Sequence, residues 1–428
     1  MNTKKRIGAL ALILVACLMA CNANNNDKKE TETKAAVSGR HADLKLPDGF
    51  SATIVADSLG PLRHLVIATN GDVYANFSAL QEGSGIVMLH DTNGDGNLDK
   101  IKRFASYPGT GITIKNGYLY SSSNSGVFRY KLDEKGNLLS PEQGEEIVYG
   151  LVDRKRDNSK SIAIDDQNNL YVSVGSYSDA CREENSGKGI PGCPLLDSVG
   201  GIWQFKADKL HQTYGDGVHY AKGIKNAVGL AWNTVTNSLF ATQHGRGQFD
   251  DKFPQYFTAK QSQELPSENL YELHAGDDAG WPFIYYDPFQ KKSVLAPEYG
   301  GDGKKAASVK YLDPVVAFPA HFAPDDLLFY TGDMFPSKYK NGAFIAFHGQ
   351  SPSLKQGYLV AFVPFKDGKP SGNWEVFADN FAGVDLKNPS GPIEHRPTGL
   401  AQGPDGALYV SDDLKGTIFR ISYANAKN

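Results

Sequence analysis

The sequence predicts an all-β fold: a six-bladed β-propeller whose N-terminal strand closes the last blade. Three observations predict it. One strand–turn–strand unit recurs along the chain, the first strand-like segment belongs to no unit, and the final unit is one strand short. The composition agrees, since 21 Tyr, 22 Phe and 45 Gly against four Met describe an aromatic, turn-rich, strand-forming chain.

The unit is a short apolar strand, a turn, and an aromatic-rich strand ending in small polar residues. It occupies residues 64–76, 111–122, 161–173, 229–242 and 399–411, with a degenerate copy at 327–347. Asn-Gly and Asp-Gly pairs supply the positive φ angles that tight hairpin turns require. A third strand follows each unit, at residues 85–90, 126–131, 201–206, 269–273, 357–364 and 416–423. A fourth is visible at 100–105 and 374–378. The orphan segment 50–57 then supplies the strand that the last unit lacks, and ring closure removes the sheet edges. A sandwich or a solenoid does not explain the repeat together with the orphan strand.

The ends define the compartment. Lys4, Lys5 and Arg6 precede an apolar run, residues 7–20, that is short for a membrane span and fits the core of a secretory signal. Leu18-Met19-Ala20-Cys21 resembles a bacterial lipobox, with Cys21 as the lipid-bearing residue and Cys17 as a competing position. The expected domains are a signal at 1–20, a lipid-anchored polar tether at 21–42 and the propeller at 43–425. Loss of residues 1–20 removes three positive charges and no acids, moving the formal charge from −4 to −7. That balance gives no electrostatic reason to expect nucleic acid. Cys181 and Cys193 flank a Gly/Pro-containing loop in an exported chain, which predicts a local disulfide.

Propeller geometry gathers the residues entering each inner strand, and the loops between second and third strands, on one face. The entering residues are Arg63-His64, Asp157-Asn158, Lys225-Asn226, His321 and His395-Arg396. Three second-to-third-strand loops read as long, at 176–200, 243–268 and 348–356, and long loops on a rigid scaffold carry function. Five histidines (His64, His244, His321, His348, His395) converge there with Arg63, Lys225, Arg246 and Arg396. Such a cluster of cations and imidazoles suits a polyanionic ligand.

Several motifs, in order and spacing, carry a family resemblance. They are Asp91-Thr-Asn-Gly-Asp-Gly-Asn-Leu-Asp99, Leu170-Tyr-Val-Ser-Val-Gly175, Lys225-Asn-Ala-Val-Gly-Leu-Ala231, His244-Gly-Arg246 followed by Asp250-Asp251, Gly280-Trp-Pro282, and Arg396-Pro-Thr-Gly with Asp412-Asp413. Over residues 45–423 the chain resembles the pyrroloquinoline quinone (PQQ) dependent glucose/sorbosone dehydrogenases, especially their sorbosone dehydrogenase-like branch. The resemblance implies PQQ and calcium at the channel mouth, and oxidation of a sugar or polyol hydroxyl or aldehyde. It implies cofactor contacts from Arg63, Lys225, Asn226, Gln243, Arg246 and Arg396. It implies calcium ligands from Gly245, Asp250 and Asp251, oxygen donors that suit a hard cation. Lys225 stands where the family carries Arg, which keeps the charge and loses the bidentate fork. The family's general-base His is absent: the stretch reads Arg156-Asp157-Asn158, so Asp157, His64 and His244 are the candidate proton acceptors. Asp91, Asn93 and Asp95 resemble the start of an EF-hand loop whose twelfth position holds Lys102 instead of Glu; a calcium-binding turn and a plain hairpin turn are both open.

With a lipid anchor, electrons would pass to a membrane acceptor. The alternative is a propeller that keeps the scaffold and binds carbohydrate or a protein partner without redox chemistry. A calcium-dependent lactonase-like hydrolase is a third reading. A Ser nucleophile elbow and a nucleotide-binding Gly-rich loop are absent.

Overall fold

The computed structural model describes residues 40–247 and 249–424. The signal, Cys17, Cys21 and most of the tether lie outside the described residues.

Six antiparallel sheets are arranged around a ring of inner strands: Leu62–Ile67, Ile112–Lys115, Ile162–Ile164, Leu230–Asn233, Pro324–Phe329 and Pro397–Gln402. Each inner strand contacts the next, and the last contacts the first. Within a blade the strands run outward in chain order, as in the first: Leu62–Ile67, Val73–Gln81, Ser84–His90, Lys100–Phe104. The sixth blade takes its outer strand from the other end of the chain. Phe50–Ala56 pairs antiparallel with Ile418–Tyr423, as the orphan segment predicts.

Side chains alternate across each strand, so every blade presents one apolar set to each neighbour. In Ser238–Gln243, Leu239 and Ala241 pack toward the third blade while Phe240 packs toward the fifth. Each of the six blade–blade interfaces therefore owns a buried cluster. The closing interface holds Val55, Leu62, Val73, Phe77 and Ile418. Asn116 and Gly117 both take positive φ (49° and 75°), the type I′ geometry of a two-residue hairpin.

The structure revises three expectations. A fourth strand is present in all blades, including Glu145–Tyr149, Val218–Lys222 and Val316–Phe318, whose short, mixed sequences hid them. The loop expected at 348–356 is mostly strand: Ala343–Ser351 continues past a bulge and pairs Ser351 with Gln356. The loop at 243–268 carries the helix Ala259–Glu264 and its own small core of Phe249, Phe253 and Phe257. Cys181 and Cys193 are joined by a disulfide within the loop at 176–200.

Candidate functional site

Bulges build the mouth. Three inner strands skip a residue at their mouth end, between Leu62 and Leu65, Pro324 and Asp326, and Pro397 and Gly399. A bulge leaves residues out of the ladder and re-aims their side chains. Here it frees Arg63 and His64 in one strand and Asp325 in another to meet across blades.

Asp325, a buried residue, is the hub. Arg63 Nη1 lies 2.9 Å from its Oδ2, and His244 Nε2 lies 3.1 Å from its Oδ1. Its carbonyl accepts from His64 Nε2 at 2.7 Å. A carbonyl only accepts, so His64 carries its proton on Nε2. The same holds for His244, whose Nε2 also faces the Pro324 carbonyl at 3.2 Å, which leaves its Nδ1 as the acceptor. Burial opposes charge on Asp325, but Arg63, His348 and His244 overcome it and hold the carboxyl far below the usual range. For His244, burial works against the charged form; the bond to Asp325, with Glu268 nearby, reverses this and raises its pKa.

Next to this hub, Asp413 takes Arg396 through Nε (2.9 Å) and Nη2 (3.0 Å), and His348 Nε2 at 3.0 Å. The two-pronged Arg–carboxylate geometry fixes orientation as well as charge. Burial would raise the Asp413 pKa, yet His348, Arg396 and Arg63 lower it.

Across the mouth, Lys225 Nζ bonds Asp157 Oδ2 at 2.7 Å and lies 3.8 Å from Asp179 Oδ1. Asp179 also accepts the Gly247 N–H and Arg156 Nη2, the latter at 2.9 Å. Burial pushes the Asp179 carboxyl up; Lys225, Arg246, Gly247 N–H and Arg156 bring it down. Gln243 Oε1 accepts the Lys225 N–H at 3.2 Å, so Gln243 sets the Lys225 backbone. Asp157 sits at φ 47°, a left-handed conformation that a non-glycine residue adopts at a cost. Asn226 Nδ2 is 3.5 Å from Asp157 Oδ1, while its Oδ1 is buried without a partner. The two sides join where the His244 N–H donates to the Asn226 carbonyl at 2.9 Å.

The structure thus brings together Arg63, His64, Asp157, Lys225, Asn226, Gln243, His244 and Arg396. Arg246 stands beside Lys225 and Gln243: its guanidinium pairs with Glu298, shared with Arg182, stacks over Phe249 at 4.3 Å, and helps hold the Asp179 carboxyl down. His321 bonds the Ser262 carbonyl, and His395 bonds Asp412.

Among the described residues the predicted calcium ligands form no carboxylate cluster. The Gly245 and Asp250 N–H groups donate to Glu268 and to Ser262 Oγ, one Asp250 carboxylate oxygen is buried without a hydrogen-bond partner, and Asp251 is exposed. The Asp91 carboxylate accepts backbone N–H groups of Asn93, Gly94 and Gly96, and Asp95 accepts that of Asn97 and the Asn93 amide. That stretch is a hydrogen-bonded turn between the third and fourth strands of the first blade, at the end away from the mouth. Among the described residues no group of three or more His, Cys, Asp or Glu side chains is set to hold a metal ion.

The expected polyanion-attracting surplus of positive charge is also corrected. Arg63, Lys225 and Arg396 each face a carboxylate (Asp325, Asp157 and Asp413). The mouth is polar and charge-balanced rather than cationic. Sequence reading missed Asp325 and Asp179. Asp325 lies at the head of the one degenerate copy of the repeat, and only the acidic pair Asp325-Asp326 there could have flagged it.

Residues 44–285 and 289–424 match the family model described as TrAA12-like. The chain belongs to the TrAA12-like family. A pyrroloquinoline quinone-dependent sugar dehydrogenase of Hypocrea jecorina is 21% identical over 400 residues, covering 87% of each chain. An uncharacterized protein of Borreliella burgdorferi is 24% identical over 392 residues, covering 89% of this chain and 91% of that one. The holo form of the pyranose dehydrogenase PQQ domain from Coprinopsis cinerea superposes with a TM-score of 0.71 at 18% identity, over 90% of this chain and 98% of that one. The calcium structure of the Trichoderma reesei family AA12 enzyme gives 0.71 at 18% identity, over 91% and 99%. This TrAA12-like protein therefore shares the family and fold that its motifs predict.

Proposed function

We propose that this TrAA12-like protein is an envelope-anchored, PQQ-dependent dehydrogenase of a sugar or polyol hydroxyl or aldehyde, delivering electrons to a membrane acceptor. The observation that carries the reading is the convergence of Arg63, Lys225 and Arg396 with Asn226 and Gln243 at one mouth.

The donor set fits a quinone bearing carboxylates. Each cation is paired yet keeps donors: Arg396 uses Nε and Nη2 on Asp413 and retains Nη1, and Lys225 has three N–H donors. The unpartnered, buried Asn226 Oδ1 is a polar atom that a bound group or ion would satisfy. Gly245, Asp250 and Asp251 do not form a group set to hold calcium among the described residues.

Oxidising a carbinol removes a hydride and a proton, and a bound quinone supplies the hydride acceptor. This chain supplies the proton acceptor. Asp157 occupies the position of the family base, with Oδ2 bonded to Lys225 and Oδ1 held only by a long 3.5 Å contact from the Asn226 amide. His244 presents Nδ1 while Asp325 anchors its Nε2–H, an acceptor oriented by a carboxylate.

The test is dye reduction by the purified protein with PQQ, calcium and a panel of aldoses and polyols. Saturable turnover supports the reading, and its absence across the panel defeats it. Asp157→His, which restores an imidazole at the family position, is expected to raise turnover. A second reading, a propeller that binds carbohydrate or a partner without turnover, rests on Asp157 itself; PQQ binding without dye reduction is its signature. The anchor is tested separately, because Cys21→Ser should move the protein from the detergent phase to the aqueous phase. Retention in the detergent phase would point to Cys17 or to an uncleaved helix.

A further inference from the structure

A second cavity, of about 650 Å³, opens between the first and second blades. We infer that it is a binding subsite for a neutral sugar ring, so that the substrate is a chain of sugars rather than a free monosaccharide. The inference rests on the sugar-oxidising reading above and names the substrate class.

Its position supports this. Mouth-face connections wall one end of the cavity, at Tyr107 in the link from first to second blade, Asn124 in the second-to-third-strand turn and Asp153 in the link into the third blade; the third-to-fourth-strand connection of the second blade, at Pro141, Glu142 and Gly144, walls the other. Asp153 Oδ1 accepts from Asn158 Nδ2 at 3.0 Å, and Asp157 stands four residues along the same segment. Four residues reach at most about 14 Å, so one short stretch of chain separates the cavity from the mouth. A ligand spanning both would have to be extended, as a sugar chain is.

Its chemistry suits a pyranose. The rings of Tyr107 and Phe128, stacked on one another at 4.4 Å with 20° between planes, both line the cavity and bring aromatic surface that the C–H face of a sugar can pack against. The Tyr107 and Tyr130 hydroxyls lie 2.9 Å apart; one proton serves that bond and the other O–H remains to donate. Asn124, Glu142 and Asp153 add an amide and two carboxylates that can accept from ring hydroxyls. No Lys or Arg lines the cavity, which disfavours phosphorylated or uronic-acid ligands. The volume falls within the range of about 300–1,000 Å³ typical of small-ligand sites.

The test is calorimetric titration of the full chain, without PQQ, with malto-, cello- and xylohexaose, with glucose and xylose, and with an oligogalacturonate. At least one neutral hexasaccharide should bind about tenfold tighter than its monosaccharide, and the oligogalacturonate should not bind. Asn124→Ala with Glu142→Ala, both away from the packed core, should erase that gain while monosaccharide oxidation stays unchanged. Phe128→Ala should do the same, with circular dichroism confirming the fold. Equal affinity for long and short sugars, or full hexasaccharide affinity in the folded double variant, would overturn the inference. Binding is read without the cofactor, so failure of the redox reading would appear separately, as chain-length-dependent binding with no dye reduction.

Discussion

Single residues at the mouth hold more charge than they show. Asp325 compensates Arg63 and His244 at once, so Asp325→Asn should destabilise by about 3–5 kcal/mol, the usual result of stranding buried charge. His244 adds a pH signature. Its folded pKa is raised, so its contribution is complete below the unfolded value of about 6.5 and is lost as pH rises through the folded one. Denaturant midpoints measured from pH 6 to 9 should carry this loss, and Asp325→Asn should abolish it. Lys160 runs the other way. It is fully buried, and burial, only partly offset by Asp153, lowers its pKa to about 8. The folded state thus binds fewer protons than the unfolded one between pH 8 and 10.5, so stability falls as pH drops across that window and is level below it. The penalty is up to about 3 kcal/mol, and loss of the Lys160–Asn158 bond returns about 1. Lys160→Met should therefore raise the neutral-pH denaturant midpoint by about 2 kcal/mol equivalent, with the gain fading toward pH 10. A lower midpoint in the variant would show that the ammonium is better solvated than its burial implies.

At the scale of elements, the loop at 176–200 is the wall on which Asp179 stands. The disulfide closes a 12-residue separation, and the Asp179 carbonyl accepts the Trp281 indole N–H at 3.0 Å. Chain-entropy bookkeeping puts the cross-link at about 3 kcal/mol. Cys181→Ser with Cys193→Ser should lose close to that in chemical denaturation, and PQQ affinity should weaken because Asp179 and Lys225 lose a fixed frame. Unchanged affinity would confine the disulfide to stability alone. Elements also divide what could be read in advance from what could not. Repeats announced the inner three strands of nearly every blade, because alternation and Asn-Gly turns are local signals. Bulges are not local signals. The skip at Asp325 is a matter of pairing between strands, so the hub of the site stayed invisible while Arg63, Lys225 and Arg396 were all anticipated. The partner of Arg246 was hidden for the same reason: Glu298 lies 52 residues away.

For the whole molecule, closure is the main structural commitment. Phe50 packs edge-on against Phe335, Tyr339 and Phe377, with centroids 4.8–5.4 Å away, and so fastens the N-terminal strand of the sixth blade to the fifth. Phe50→Ala should cost about 3 kcal/mol and, by loosening the ring, expose the edge of Ile418–Tyr423 to association, visible as dimers in light scattering. A monomer of unchanged stability would mean that backbone pairing alone closes the ring. Closure matters for function because the mouth is assembled from all sides of the ring. Arg63, Asp157, Lys225, Asp325 and Arg396 come from five different blades, so no fragment holds the site.

The central claim is that this charge-balanced mouth still holds a carboxylate-bearing quinone. Titration of the purified protein with PQQ, followed by quinone absorbance and compared with Lys225→Met, tests it most directly. One saturable site is expected in the native protein, with an affinity loss of at least about tenfold in the variant, the cost of one charged contact. No saturable binding to the native protein, or equal binding by both, would contradict it.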